Sequence, residues 1–182
     1  MKLNFCISLA ALCFIGCNDN FVDPSVGDRT SSITNSVEPS RSDNAKSFGE
    51  FSFSIPDGWT IVAPDRDKTK AMLLLDGTNW QNAKAMIKVD VVVPKAPSAT
   101  KIAEMFASNV GGNVSEDFME FDGESGVLVS TTSVDLATPR NMFVIFRDGK
   151  AYLLMAGAAS DIDLSDAVSS IRSSWKWTAK AQ

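Results

Sequence analysis

The sequence of 182 residues contains no histidine, and this absence excludes many kinds of active site. Without an imidazole, the chain has neither a Ser-His-Asp or Cys-His nucleophile system nor a metal site built on histidine. Its three cysteines, Cys6, Cys13 and Cys17, all lie within the first seventeen residues. The folded part therefore has no thiol for catalysis, zinc binding or an internal disulfide bond.

The sequence also lacks the glycine-rich loops that bind phosphate. Gly123-Glu124-Ser125-Gly126 is not a nucleophile elbow. Basic residues number 17 against 22 acidic ones, which gives a net charge of −5 and a pI of about 4.7. An acidic surface argues against nucleic-acid binding, because phosphate contacts need clustered lysine and arginine. We expect no cofactor, no metal ion and no enzymatic activity.

The N-terminus has the features of an export signal. Lys2 precedes an apolar run at residues 5–15, which is shorter than the ~20 residues that span a bilayer. Phe14-Ile15-Gly16-Cys17 resembles the bacterial lipobox, although leucine is usual where Phe14 stands. We predict a signal peptide at 1–16 and acyl chains on Cys17, which would anchor the chain in a membrane. The alternative is an ordinary cleaved signal with a coincidental cysteine.

The predicted location is the bacterial cell envelope. Residue 18 is Asn, not the Asp that retains lipoproteins in the inner membrane under enteric-type sorting, so outer-membrane placement facing the periplasm is favoured. Residues 17–47 are poor in large apolar side chains and have no helical or strand period, which predicts a disordered tether. Residues 48–182 are predicted to form a single α+β domain.

Apolar periodicity predicts the elements of this domain. Alternation at 51–55, an extended stretch at 59–62 and apolar runs at 71–75 and 85–93 predict strands, as do 114–121 and 126–134. In the strand at 85–93, Lys84, Lys88 and Asp90 are placed on the polar face. Residues 142–146 and 152–156 are predicted to form a hairpin that turns at Asp148-Gly149. Their arms are apolar on both faces, which requires layers on both sides of the sheet.

Two helices are predicted. The first is capped by Ser98 or Thr100, carries an apolar stripe at Ile102, Met105, Phe106 and Val110, and stops at Gly111-Gly112. The second is capped by Asp163 and carries a stripe at Leu164, Ala167, Val168, Ile171 and Trp175. The expected architecture is a mainly antiparallel sheet with helices packed on both faces, an α-β-α sandwich.

A family resemblance supports this expectation. Ile55-Pro56-Asp57-Gly58-Trp59 is similar to the Pro-x-Gly-Trp opening of PsbP-like and Mog-like domains. The Asp-Gly hairpin and a closing helix ending in Ile171-Arg172-Ser173-Ser174-Trp175 are similar as well. The likeness covers about residues 48–178 and implies an α-β-α sandwich. Relatives of this kind are largely non-enzymatic: photosystem assembly proteins, a nuclear-import factor that binds a small GTPase, and bacterial lipoproteins. The resemblance implies no catalytic residues.

Two tryptophans are candidate binding residues. Trp59 follows the turn and would form a platform for a ligand, although a tryptophan in such a position commonly closes one end of a core. Trp177, near the chain end, is a candidate for an exposed contact. Trp175 is expected to point into the core.

Two acidic clusters lack the alternating ligands, the sharp Gly turn and the closing Glu of a calcium loop. The first, Asp161, Asp163 and Asp166, is interpreted as helix capping. The second, Glu116, Asp117 and Glu120, is interpreted as a solvated loop. Catalysis by a carboxylate pair stays open, because the sequence gives no distances.

Two functions of different classes follow. The first is a lipid-anchored, non-catalytic envelope module that binds a protein partner and aids its assembly or stability. The alternative is a periplasmic carrier or sensor of a small apolar ligand, for which the methionines would form an adaptable pocket. A hydrolase ranks third.

Overall fold

The structure, a computed structural model, describes residues 44–96, 98–159 and 162–178. The predicted signal peptide, Cys17 and the tether up to residue 43 lie outside these residues. The elements along the chain are β1 (Ala45–Ser47), β2 (Phe51–Ser54), β3 (Trp59–Ile61), β4 (Thr69–Leu75), β5 (Ala85–Val92), α1 (Ala99–Val110), β6 (Asn113–Phe121), β7 (Glu124–Ser130), β8 (Asn141–Arg147), β9 (Lys150–Ala158), α2 (Ser165–Ser174) and β10 (Lys176–Trp177).

The strands form two sheets. The larger has seven strands in the order β3-β4-β5-β9-β8-β7-β6, and each neighbouring pair is antiparallel. The smaller has the order β1-β2-β10 and is also antiparallel. The predicted hairpin is confirmed: β8 and β9 join at Asp148 and Gly149, whose φ angles of 52° and 76° are the positive values that a two-residue turn of type I′ needs.

Helix α1 begins and ends where the sequence predicts. The Ser98 side chain accepts a hydrogen bond from the backbone N–H of Lys101, and Gly111 closes the helix at a φ of 68°. The predicted apolar stripe was wrong at Met105, whose side chain is 56% exposed. Ala103 and Ala107 are the buried residues. Successive residues of a helix are offset by about 100° around its axis. Met105 is two positions from each of these alanines and therefore lies on the side of the helix that faces away from the sheet.

The main core lies between α2, the small sheet and the large sheet. Phe51 and Phe53 alternate inward from β2 and stack on the buried Trp175, with ring centroids 4.6 and 5.6 Å from it. The predicted inward positions of Trp175 and of the helix residues are confirmed. Those buried helix residues are Ala167, Val168 and Ile171.

Strand β8 contributes to two separate apolar clusters. Phe143 and Ile145 belong to the main core with α2, whereas Met142 and Val144 pack in a second cluster with Ala103 of α1. Successive side chains of a strand point to opposite faces, which explains why both sets are apolar. The two helices thus pack against different rows of side chains from the same strand.

Asp90 corrects the prediction of a polar strand face. It is 1% exposed, accepts a hydrogen bond from the Thr69 hydroxyl at 2.7 Å and pairs with Lys68 at 2.9 Å. Met86, on the same row, is also buried. Met86 belongs to a third apolar cluster that includes Leu136 from the β7–β8 connection, a contact that the local sequence does not reveal.

Several element boundaries also differ from the predictions. β5 ends at Val92, so that Val93 is 80% exposed, and β7 ends at Ser130, so that Val134 is 62% exposed in a loop. Strand structure begins at Ala45, three residues before the predicted domain start, because β1 pairs with β2. The second acidic cluster lies on β6, an exposed edge strand, and not in a loop.

Candidate functional site

A cleft of about 530 Å³ lies between the β2–β3 turn and the start of α2. It is open to solvent, and Trp59 forms part of its wall, so we call it the Trp59 cleft. Trp59 is partly buried and also packs against the main core, as the alternative for this residue predicted. The volume of the cleft lies in the range of ligand sites. Its lining residues are Asn44, Ser54, Ile55, Pro56, Asp57, Trp59, Leu75, Asp163, Asp166, Ala167 and Ser170.

The β2–β3 turn positions one wall of the cleft. The backbone N–H of Trp59 donates to the carbonyl oxygen of Pro56 at 3.1 Å, which closes a four-residue turn. Gly58, at the third position of the turn, has a φ of 80°, a conformation that type II turns require and that favours glycine. Trp59 then enters β3 opposite Leu75 of β4, which also lines the cleft.

Helix α2 forms the facing wall. Asp166 and Ser170 are four residues apart and therefore share one side of the helix, with Ala167 beside them. The backbone N–H of Ser54 donates to Ser174 Oγ at 2.9 Å, which ties β2 to the last turn of α2. The cleft is thus built from parts of the chain that are more than 100 residues apart.

The cleft is acidic. It is lined by the carboxylates of Asp57, Asp163 and Asp166, and no lysine or arginine is among its lining residues. Hydrogen bonds from the side chain and the backbone N–H of Ser165 hold the pKa of Asp163 below its usual range, with a smaller contribution from the charge of Arg140. Asp163 therefore stays ionised. The prediction that Asp163 caps α2 was wrong by one residue, because the N-cap residue is Leu164; Asp163 precedes it and accepts a hydrogen bond from the backbone N–H of Ser165 at 2.8 Å.

Sequence reasoning named two of these carboxylates only as helix capping and missed Asp57. Asp161, the third member of the predicted cluster, lies outside the described residues. Within the described ranges, no group of three His, Cys, Asp or Glu side chains is arranged to hold a metal ion. A turn residue such as Asp57 carries no local sign of facing a helix that follows 100 residues later.

Trp177, the other candidate, lies in an internal network. Its Nε1 donates to the carbonyl oxygen of Phe121 at 2.9 Å, and its backbone N–H donates to Asp122 at 2.9 Å. The guanidinium of Arg147 stands 4.7 Å from the centre of its ring, and Tyr152 packs edge-on against it. These contacts attach the chain end to the large sheet and leave Trp177 half-buried.

A second, smaller cleft of about 200 Å³ opens beside β4 and β5. Met72 and Met86 line it with Trp80, which is 46% exposed and which the sequence did not single out. Lys88, predicted to lie on a solvated polar face, lines the same cleft.

Comparisons with known proteins find similarity to solved structures. No family model matches the chain, and neither does any curated protein. The chain is similar to the solution structure of cyanobacterial PsbP (CyanoP) from Synechocystis sp. PCC 6803, at 15% identity, over 71% of this chain and 87% of that one, with a TM-score of 0.45. A TM-score below 0.5 does not establish a shared fold, so the PsbP-like assignment stays a proposal. Neither described helix is long and apolar enough to cross a membrane.

Proposed function

We propose that this chain is a lipid-anchored, non-catalytic module of the bacterial cell envelope that binds a protein partner through the Trp59 cleft and aids that partner's assembly or stability. The observation that carries the proposal is an open cleft with a tryptophan wall beside an interior that is already filled. Tryptophan is enriched where proteins bind each other, because it buries a large area at little cost in conformational entropy.

The filled interior favours this function over a carrier of a small apolar ligand. A carrier would hold its ligand between sheet and helix, where this chain has stacked rings of Phe51, Phe53 and Trp175. The second cleft, lined by Met72 and Met86, fits the methionine pocket that the alternative predicts. Its volume of about 200 Å³ lies below the usual range for ligand sites.

The packing of the helices supports an α-β-α sandwich as the fold of this module. The clusters of α1 and α2 alternate along β8, which is the arrangement that a three-layer α-β-α sandwich of the PsbP-like kind requires. The lipid anchor at Cys17 and the outer-membrane location facing the periplasm rest on the sequence motif. The absence of histidine, and of cysteine beyond residue 17, supports a function without nucleophilic catalysis.

Co-purification after mild crosslinking in the native host tests this function. Tagged wild-type protein is compared with Trp59→Ala and with Met105→Ala, which removes an exposed apolar side chain from α1. We expect one partner to be recovered by the wild type and by Met105→Ala, and to be lost with Trp59→Ala. Circular dichroism first establishes that both variants are folded. Recovery that is equal in all three samples contradicts a role for the cleft.

A further inference from the structure

The Trp59 cleft combines an aromatic ring with negative charge. Three carboxylates line it, and its lining residues include no lysine or arginine. In the described ranges, no basic side chain stands over the Trp59 ring either. Arg140, whose charge acts on Asp163, is not among the lining residues. Carboxylates that share a cleft repel each other, so the arrangement favours any cation that enters.

At Trp177, the chain itself supplies a cation to an aromatic ring that has carboxylates nearby. Arg147 stands 4.7 Å from the centre of the Trp177 ring, and its Nε lies 3.9 Å from Glu124 and 3.7 Å from Asp148. A guanidinium there contacts an aromatic face while carboxylates balance its charge, which is a favourable pair of interactions. At Trp59 the ring and the carboxylates belong to this chain, but the described part of the chain places no cation against the ring.

We propose that the Trp59 cleft receives a lysine or arginine side chain of the protein partner. This inference rests on the proposed function, and it names the chemistry by which the partner is recognised. The cation would lie against the indole of Trp59, and the carboxylates of Asp57, Asp163 and Asp166 would balance its charge.

The apolar walls of the cleft select a long basic side chain over a metal ion. Ile55, Leu75 and Ala167 line the cleft beside the carboxylates. Lysine and arginine bury their aliphatic stems against apolar surface while their charged ends reach polar groups. A hydrated metal ion would gain nothing from these walls.

A peptide titration followed by NMR tests the inference on the full chain in non-ionic detergent. The probe is acetyl-Gly-Gly-Lys-Gly-Gly-amide, and its counterpart has norleucine in place of lysine, which keeps the stem and removes the charge. The chain has four tryptophans, and comparison with Trp59→Phe identifies the indole N–H signal of Trp59. We expect the lysine peptide to shift the Trp59 signal in a saturable, salt-sensitive manner and the norleucine peptide to leave it unchanged.

Charge variants locate the binding site. The triple variant Asp57→Asn, Asp163→Asn, Asp166→Asn is expected to weaken lysine-peptide binding by about tenfold. The matched control is a second triple variant, which removes three carboxylates from the exposed strand β6: Glu116→Gln, Asp117→Asn, Glu120→Gln.

The β6 control changes the net charge by the same amount as the cleft variant and is expected to alter the affinity by less than about twofold. Equal losses in both variants would show general charge attraction and overturn the inference. Equal shifts with the lysine and norleucine peptides would overturn it as well.

A basic residue of this chain, Arg41, stands three residues before Asn44 in the sequence and is tested as an alternative source of the cation. If Arg41→Gln moved the Trp59 signal in the absence of peptide, and the lysine peptide had no effect on the wild type, the cleft would serve its own chain and the inference would be wrong. If a partner crosslinks at the cleft but the lysine peptide has no effect, this inference is wrong and the proposed function stands. A peptide response without a partner would count against the proposed function alone.

Discussion

At the scale of single residues, Asp90 shows how a carboxylate is accommodated within an apolar sheet. Its side chain is 2% exposed, and its two oxygens are engaged by the Thr69 hydroxyl and by Lys68. The Lys68 side chain is 45% exposed, so a charge that remains partly in water balances the buried carboxylate. Without these two partners, burial of the charge would be costly.

Replacement of Asp90 is therefore expected to destabilise the fold. Asp90→Ala leaves the Thr69 hydroxyl without its acceptor and should lower the free energy of unfolding by about 2–3 kcal/mol. Asp90→Asn keeps an acceptor for Thr69 and should cost less. Urea unfolding measures both, with Glu104→Ala as the control, because its surface pair with Lys101 should contribute less than about 1 kcal/mol. A loss for Asp90→Ala no greater than that of the control would contradict this account.

Trp175 is a second residue with a specific expectation. It is 1% exposed, and its Nε1 has no hydrogen-bond partner among the described residues. Trp175→Ala should lower the free energy of unfolding by about 3–5 kcal/mol, because it removes the ring that stacks on Phe51. Trp175→Phe keeps an aromatic ring and removes the unsatisfied donor, so it should cost about 1–2 kcal/mol. Chemical denaturation compares the two, and equal losses would show that ring stacking is not what stabilises this position.

At the scale of elements, the two-residue strand β10 depends on a turn of the large sheet. Asp122, between β6 and β7, accepts hydrogen bonds from Lys176 Nζ at 2.7 Å and from the Trp177 backbone at 2.9 Å. The Lys176 hydrogen bond, followed by that of Trp177, holds the pKa of Asp122 below its usual range. These contacts compensate for the few ladder hydrogen bonds that so short a strand makes.

The lowered pKa of Asp122 predicts a pH dependence. The ionised carboxylate stabilises the fold above about pH 4, where Asp is charged in the unfolded chain too, and this contribution is lost as the pH falls through the folded pKa. Asp122→Asn should therefore lower the stability at pH 7 by on the order of 1 kcal/mol, with a difference from wild type that shrinks below pH 4.

The measurement is thermal or urea unfolding between pH 2.5 and pH 7. Asparagine tolerates the φ of 49° at this position, so the turn itself is retained. A difference between wild type and Asp122→Asn that stays constant with pH would show that the charge of Asp122 is not responsible.

Elements with a strong local pattern could be predicted from the sequence, and elements without one could not. The hairpin at Asp148 and the caps of α1 follow from local residue preferences, because the residues at these positions favour the backbone conformation of a turn or a helix end. Strands β1 and β10, of three and two residues, are too short to show a period. The burial of Asp90 also escaped prediction, because its partners Thr69 and Lys68 come from an earlier part of the chain.

At the scale of the whole molecule, the Trp59 cleft forms only when α2 packs beside the β2–β3 turn. Trp59 was a candidate from its turn, but Asp57 and the α2 carboxylates become its neighbours through the packing of α2 near β2. A single sequence contains no signal for that contact. Trp177 was a candidate because of its place near the chain end, and only the tertiary contacts show that Arg147 and Phe121 already engage it.

The anchor is a prediction at the same scale. Cys17→Ala should release the protein from the membrane fraction of its host into the soluble fraction, because the acyl chains would be lost. Cys13→Ala, which removes a cysteine from the predicted signal peptide, is the matched control and should leave the protein in the membrane fraction. Cell fractionation with immunoblotting reads out both variants, and wild-type protein found in the soluble fraction would refute the anchor.

Site-specific photo-crosslinking in living cells tests most directly whether the Trp59 cleft binds a protein partner. A photoreactive amino acid replaces Ser170 in the cleft or, as the control, Lys101 on the exposed side of α1. We predict one discrete crosslinked protein from position 170, none from position 101, and loss of the product when Trp59→Ala is added. Equal products from both positions, or a product at position 170 that survives Trp59→Ala, would contradict such binding.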